Sequence, residues 1–346
     1  MKYAKVELTA IGYELAPVVV TSEELEARLA PLRQKLHIAD GQLEFLTGIV
    51  ERRWWAPETP LSRGAILAAR KALASSGVPV KEIGSLIYAG VCRELYEPAT
   101  ACRVADGIGV GNSAAVYDLS NACLGVLNGI LEVANRIELG QIRAGLVVSC
   151  ESAREINDVM IERMLAMEDM KLFTLALATL TGGSGAVAVL LTDGSFPTPS
   201  RHALLGGVTR VAPEHHALCR WGLEKVDGVH RPFMSTDSVA VLKHGVELGK
   251  KTWSDFLDEM QWSTEDVDRV ICHQVGSGHQ DAILKTLGIA PEKDFTTYEY
   301  LGNIGTVSLP LTAALAAERG GLKSGNKVAF LGIGSGLNCL MLGLTW

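Results

Sequence analysis

The sequence has no CxxC pair, no apolar run long enough to cross a bilayer, no basic stripe and few aromatic residues. Each absence removes a class of function. The seven cysteines (92, 102, 123, 150, 219, 272 and 339) are scattered and odd in number, so neither a zinc site nor a redox pair is expected. Several lie in apolar runs, where a reduced thiol packs as a small hydrophobe. A formal charge of −7 argues against a nucleic-acid partner, which calls for a basic stripe. The opening residues 1–7 (MKYAKVE) alternate as a strand does and lack the apolar core of a signal peptide. With no membrane-spanning segment either, a cytoplasmic location is expected, and no metal.

What the chain does have is hydrophobic mass and glycine. Of 346 residues 48% are hydrophobic, enough for a substantial core. Thirty-six glycines against twelve prolines suit the tight turns of an α/β protein. Segments 85–90 (SLIYAG), 115–120 (AVYDLS), 144–150 (AGLVVSC) and 186–192 (AVAVLLT) read as buried strands, with helices over 64–76 and 124–139 among them. That order predicts a mostly parallel sheet covered on both faces.

At 193–200 (DGSFPTPS) the pattern breaks, and afterwards it repeats. An Ala-rich helix leads through VKEIG to the strand at 85–90; a helix over 246–260 leads through STEDV to a strand at 269–273. SNAC, a helix and the strand at 144–150 are then matched by LGNIG, a helix over 309–319 and a strand at 327–331. The repetition predicts a duplicated fold, residues 1–195 forming one half and 196–346 the other, with a site between them. General likeness among α/β units is the competing explanation.

Four positions carry chemistry. Cys123, in Asn121-Ala122-Cys123, follows a strand and opens a long helix. The positive end of the helix dipole and its free N–H groups would favour thiolate and bring the pKa toward neutrality. Read alone, the position also fits a buried structural thiol. His273 closes the strand Val270-Ile271-Cys272, the end at which α/β sheets bind ligands, although a satisfied core histidine is the commoner case. His215, His216, His244 and His279 lack such placement and read as structural or surface groups. Asn303, in Gly302-Asn303-Ile304-Gly305, could donate to a developing oxyanion or serve as an ordinary turn or cap residue. The turn Gly332-Ile333-Gly334-Ser335-Gly336 lacks the full GxGxxG spacing, and a backbone N–H near Gly336 could serve as an oxyanion donor.

Together with Thr47-Gly48-Ile49 and Glu51-Arg52-Arg53, these motifs resemble the thiolase superfamily, ketoacyl-ACP synthase III branch, along nearly the whole chain. The resemblance implies the thiolase fold: two duplicated halves packed as αβαβα layers. It implies that Cys123 carries an acyl group, and that His273 and Asn303 stabilise the thioester enolate of a second substrate. Backbone N–H groups of Cys123 and Gly336 would hold the first oxyanion. It also implies a homodimer acting on acyl-CoA or acyl-carrier-protein thioesters, with no further cofactor.

Two departures bear on the branch. Housekeeping members carry a Trp and an Arg that clamp the carrier's adenine end. The matching positions here are Gln42 and Leu46, so the clamp is missing or rebuilt from residues such as Trp54 and Trp55. The segment Arg93-Glu94-Leu95-Tyr96-Glu97-Pro98-Ala99-Thr100 is similar to that of the OleA group, which condenses two fatty acyl-CoA molecules head to head. A plain acyl thioester must lose an α-proton, which a carboxylate has to accept. The resemblance gives that role to Glu97, with Glu94 competing and a solvated loop glutamate the bland alternative. The expected product is a 2-alkyl-3-keto acid or thioester. Alternatives are a decarboxylative 3-oxoacyl-ACP synthase III using a malonyl donor, a papain-like hydrolase, or a non-catalytic subunit. The Met-rich segment 155–181 reads as core, with an acyl channel or a dimer cap as the sharper options.

Overall fold

A computed structural model describes residues 1–226 and 228–346. Nine strands form its main sheet: β1 (Glu7–Leu15), β2 (Ile83–Ala89), β3 (Ala115–Leu119), β4 (Ala144–Glu151), β5 (Gly185–Thr192), β6 (His202–Val211), β7 (Arg269–Cys272), β8 (Lys327–Gly334) and β9 (Asn338–Thr345). Their spatial order is β7-β8-β9-β6-β1-β5-β4-β2-β3. From the centre outward each half repeats one plan. β1-β5-β4-β2-β3 on one side is matched by β6-β9-β8-β7 on the other, and a parallel bridge from Val270 to Asp294 stands where β3 has its counterpart.

The sheet is mixed, which corrects the expectation of a mostly parallel one. Five of its eight pairings are antiparallel. Only residues 335–337 separate β8 from β9, too short a link for a parallel crossover. Between β4 and β5 the helices Arg154–Met167 and Met170–Ala176 intervene, yet the chain returns beside β4 running the other way. The first strand also starts later than expected. Residues ahead of Glu7 run beside β6, where the Met1 amine donates to the Gly207 carbonyl at 3.0 Å.

Side-chain alternation along β5 explains the layers, since successive residues of a strand face opposite ways. Ala186, Ala188 and Leu190 pack outward against α1 (Leu61–Ser76) and α2 (Thr100–Ile108). Val187, Val189 and Leu191 face a central layer made by α3 (Gly125–Glu138) and α6 (Ser308–Glu318). Beyond the second half lie α4 (Ser238–Met260) and α5 (Ser277–Leu287), whose Leu248, Phe256 and Leu284 pack on Val270, Ala329 and Met341. The result is the αβαβα stack of the thiolase fold.

Two sequence features permit it. α1 presents Ala65, Ala68, Ala69 and Ala72 to the sheet, all fully buried. Gly12 of β1 takes the contact, where a Cβ would stand only 2.2 Å from the Ala68 carbonyl oxygen. α6 (SLPLTAALAAE) is apolar nearly all round, as a helix packed against strands from both ends of the sheet must be. Among the described residues no helix is long and apolar enough to cross a membrane.

Candidate active site

Between the end of β3 and the start of α3 the chain turns sharply. Ala122 has φ 46°, a left-handed conformation costing an L-residue about 1–2 kcal/mol. Such strain is kept where surrounding structure fixes the turn, and the residue it presents is Cys123. Cys123 is a free cysteine, partly accessible as a residue. Its thiol is nevertheless surrounded closely enough that burial, with smaller contributions from Cys219 and Glu151, pushes its pKa up to about 12.

This overturns the expectation of a thiol near neutrality. Cys123 precedes the first helical residue by two positions, and the cost of burying a charge exceeds what the helix terminus returns. Below pH 12 the thiolate fraction rises tenfold per pH unit. Iodoacetamide labelling of Cys123 in the ligand-free enzyme is therefore expected to climb through pH 9 without levelling. A plateau near pH 7, measured by mass spectrometry of the labelled peptide, would contradict this.

Hydrogen bonds tie the turn of Asn303 and the last glycine turn to this elbow. The Val126 N–H donates to Thr306 Oγ1 at 2.7 Å, joining α3 to the turn that holds Asn303. In that turn the Asn303 N–H donates to Thr181 O (2.9 Å) and its carbonyl accepts from the Gly183 N–H (2.9 Å). Its side-chain Oδ1 accepts from the Gly305 N–H at 3.0 Å. With the oxygen so used, the amide NH₂ is the group left to donate.

The last glycine turn is bolted on likewise. Asn338 Nδ2 donates to Ser335 O at 3.0 Å and to Asn121 Oδ1 at 3.3 Å. Gly336 has φ 143°, and a Cβ there would lie 2.2 Å from Asn338 Nδ2. Gly334 lies against the elbow, its ideal Cβ position 3.4 Å from the Cys123 backbone nitrogen.

His273 follows β7, its N–H bonded to Leu331 O at 3.0 Å. It is 7% exposed, and its Nδ1 has no partner among the described residues. Burial, then the neighbouring His279, lowers its pKa to about 4, so the ring is neutral at pH 7. His279 thus belongs to the surroundings of His273. Gln274, next to the histidine, is bonded to the start of the short helix Tyr298–Leu301 that precedes the asparagine turn. Its Oε1 accepts from the Thr297 and Tyr298 N–H groups at 3.0 and 3.3 Å, and its Nε2 donates to Cys272 O at 2.9 Å.

The two candidate glutamates are sorted by their surroundings. Glu94 accepts from the Ser62 N–H at 2.7 Å and from Arg103 Nη1 at 2.6 Å. Burial alone would raise its carboxyl, but these partners hold it below the usual carboxylate range. It is a structural link. Glu97 is exposed at a loop tip beside Tyr96, which is 90% exposed. Among the described residues no hydrogen bond or ion pair engages its carboxylate, and none joins it to Cys123, His273 or Asn303.

Trp54 and Trp55 cannot rebuild an adenine clamp. Both are buried, and their indole N–H groups donate to Gly182 O (3.0 Å) and Glu151 O (3.1 Å). On the helix bearing Gln42 and Leu46 the exposed aromatic is Phe45. Met160 and Met164 are core residues packed with Leu25, Leu32 and Trp54, whereas Met167 and Met170 are exposed. One site neighbour was missed from sequence: Glu151, a buried carboxylate close enough to raise the Cys123 thiol. The available signal was an acid ending an otherwise apolar strand (AGLVVSCE).

Residues 257–346 match the family model for the C-terminal part of 3-oxoacyl-[acyl-carrier-protein] synthase III. Across its whole length the chain is 60% identical, over 349 aligned positions and 100% of both proteins, to an acyl-CoA:acyl-CoA alkyltransferase of Shewanella oneidensis. The chain belongs to the acyl-CoA:acyl-CoA alkyltransferase family. A solved structure of the Xanthomonas campestris family member OleA, with bound lauric acid and lauroyl-CoA, superposes with TM-score 0.93 at 35% identity, covering 99% of this chain and 100% of that one. A beta-ketoacyl-[acyl-carrier-protein] synthase III of Symbiobacterium thermophilum is more distant, 27% identical over 100% of this chain and 99% of the relative. This alkyltransferase-family chain is therefore an acyltransferase of the thiolase superfamily.

Proposed function

We propose that the protein joins two fatty acyl-CoA molecules by a Claisen condensation through an acyl-Cys123 intermediate. The observation that carries this is the hydrogen-bonded joining of the Cys123 elbow to the Asn303 turn and to the last glycine turn, in a chain 60% identical to an acyl-CoA:acyl-CoA alkyltransferase. Cys123 sulfur attacks the first thioester, and coenzyme A leaves carrying a proton. Because the resting thiol is protonated, its proton must depart during the attack, and the neutral His273 ring is assigned as its acceptor, passing it on to the departing coenzyme A. The Cys123 and Gly336 N–H groups hold the oxyanion.

The second acyl-CoA places its thioester oxygen where the Asn303 amide and the His273 ring donate. Glu97 removes the α-proton, the carbanion attacks the acyl-Cys123 carbonyl, and the Cys123 thiolate is expelled. The product is a 2-alkyl-3-ketoacyl thioester or, after hydrolysis, the acid. In this reading residues 1–195 supply the nucleophile and 196–346 supply His273 and Asn303. The exposed Leu95-Tyr96-Glu97 tip suits a surface covered in a homodimer, working in the cytoplasm on CoA-linked substrates.

The test is incubation with myristoyl-CoA alone, following CoA release and analysing products by mass spectrometry. The expected product is the β-keto acid, or the symmetrical ketone left when it loses CO₂. CoA release that halts at one equivalent, with product only after a malonyl thioester is added, would sink this reading in favour of a decarboxylative synthase.

A further inference from the structure

The loop that carries Glu97 is gripped at both feet by carboxylates. At its start, Glu151 accepts two consecutive backbone N–H groups, Val91 at 2.9 Å on Oε1 and Cys92 at 3.1 Å on Oε2. At its end, Asp118 does the same, accepting the Thr100 N–H at 2.9 Å on Oδ2 and the Ala101 N–H at 2.8 Å on Oδ1. The first foot has a further tie, since Tyr88 Oη donates to Cys92 O at 3.0 Å and to Cys150 O at 2.8 Å. Between the feet, Leu95, Tyr96 and Glu97 are exposed.

Glu151 is an unusual choice for a fastening. It is 4% exposed, and no cation pairs with it among the described ion pairs. Burying a carboxylate without a counter-charge is costly, and a neutral acceptor could hold one of these N–H groups. Two parallel acceptor oxygens at each foot instead fix direction as well as position. Each foot also stands on a strand of the sheet that positions the Cys123 elbow: β4 ends at Glu151, and β3, with Asp118, leads into Asn121-Ala122-Cys123.

We propose that Glu151 and Asp118 are positioning residues that hold the loop as a rigid finger, so that Glu97 meets the α-carbon of the second acyl-CoA in one orientation. This rests on the reading of Glu97 as the base. Neither carboxylate touches substrate. Both act through the two N–H groups each accepts.

The test compares Glu151→Gln, Asp118→Asn and Glu97→Ala with the parent enzyme in two assays on myristoyl-CoA: acyl-Cys123 formation and condensation. Each amide variant loses one of its two acceptor oxygens. For Asp118→Asn the expected result is acylation within about twofold of the parent and a kcat for condensation about 10- to 100-fold lower, with KM little changed, as for a misplaced reacting group. Glu151→Gln also removes a charge that raises the Cys123 thiol, so its acylation is expected to hold or rise while condensation falls by a similar factor. General damage to the fold would lower both steps together, and that outcome, or condensation within twofold of the parent, overturns the proposal. Should Glu151→Gln fail to fold, hydrogen exchange on the parent enzyme decides. Amides 91, 92, 100 and 101 are expected to exchange far more slowly than those of 95–97, and equal rates would overturn the rigid finger. Normal condensation by Glu97→Ala would instead remove the base reading, whatever the exchange result.

Discussion

Replacing Glu97 with alanine is expected to leave release of the first equivalent of CoA intact and to slow carbon–carbon bond formation about 10²- to 10⁴-fold. The two steps separate because only the second needs a proton removed from carbon. In the proposed cycle, acyl transfer to Cys123 is a substitution at a carbonyl, assisted by groups at the elbow and the Gly336 turn. Condensation of an unactivated acyl-CoA requires a base. Glu94 cannot substitute, because its oxygens are already bonded to the Ser62 N–H and to Arg103. A malonyl thioester should bypass the defect, since loss of CO₂ generates the carbanion without a base. Intact-protein mass spectrometry for the acyl-enzyme, beside product analysis with each donor, measures all three quantities. Unimpaired condensation of myristoyl-CoA by the variant would exclude Glu97.

Asn303→Asp should be nearly as damaging, for the opposite electrical reason. The substitution keeps the shape of the side chain and the oxygen that accepts the Gly305 N–H at 3.0 Å. It exchanges the free NH₂ for a second oxygen, so a donor aimed at developing negative charge becomes an acceptor that repels it. Loss of one such donor costs about 10²–10³ in kcat. The thermal midpoint should stay close to that of the parent because the turn keeps its internal bond. A variant that unfolds in parallel with its loss of activity would point to the turn instead of the oxyanion.

The strands at 85–90, 144–150 and 186–192 were legible in the sequence because each is a near-continuous apolar run, and a strand buried on both faces needs nothing else. The strand at 115–119 was legible as a strand but not as what it is: expected to be buried, it lies at the edge of the sheet and is half-buried throughout. The directions of the strands were not legible. Whether a chain comes back parallel depends on where its connection lands, and the helices between β4 and β5 look from sequence like any crossover. The positions of Cys123, His273 and Asn303 could be read from strand ends and glycine-flanked turns. The protonation of Cys123 could not, since it depends first on burial of the thiol and then on Cys219 and Glu151, which only the fold brings near it. Trp54 and Trp55 misled for a related reason. A tryptophan pair in a polar neighbourhood suggests a stacking platform, whereas here their N–H groups are committed to Gly182 and Glu151 carbonyls inside the fold.

The central helical layer has a consequence for expressing either half alone. α3 follows the Cys123 elbow and α6 follows the Asn303 turn, and both pack in one apolar cluster with strands of both halves. Cut between β5 and β6, neither piece is expected to keep its interior, because the side of each helix that faces the other would be open to water. Apolar substitutions on α3 and α6 are bound to each other in the same way, whereas the loop ends that carry Cys123 and Asn303 are free of that constraint.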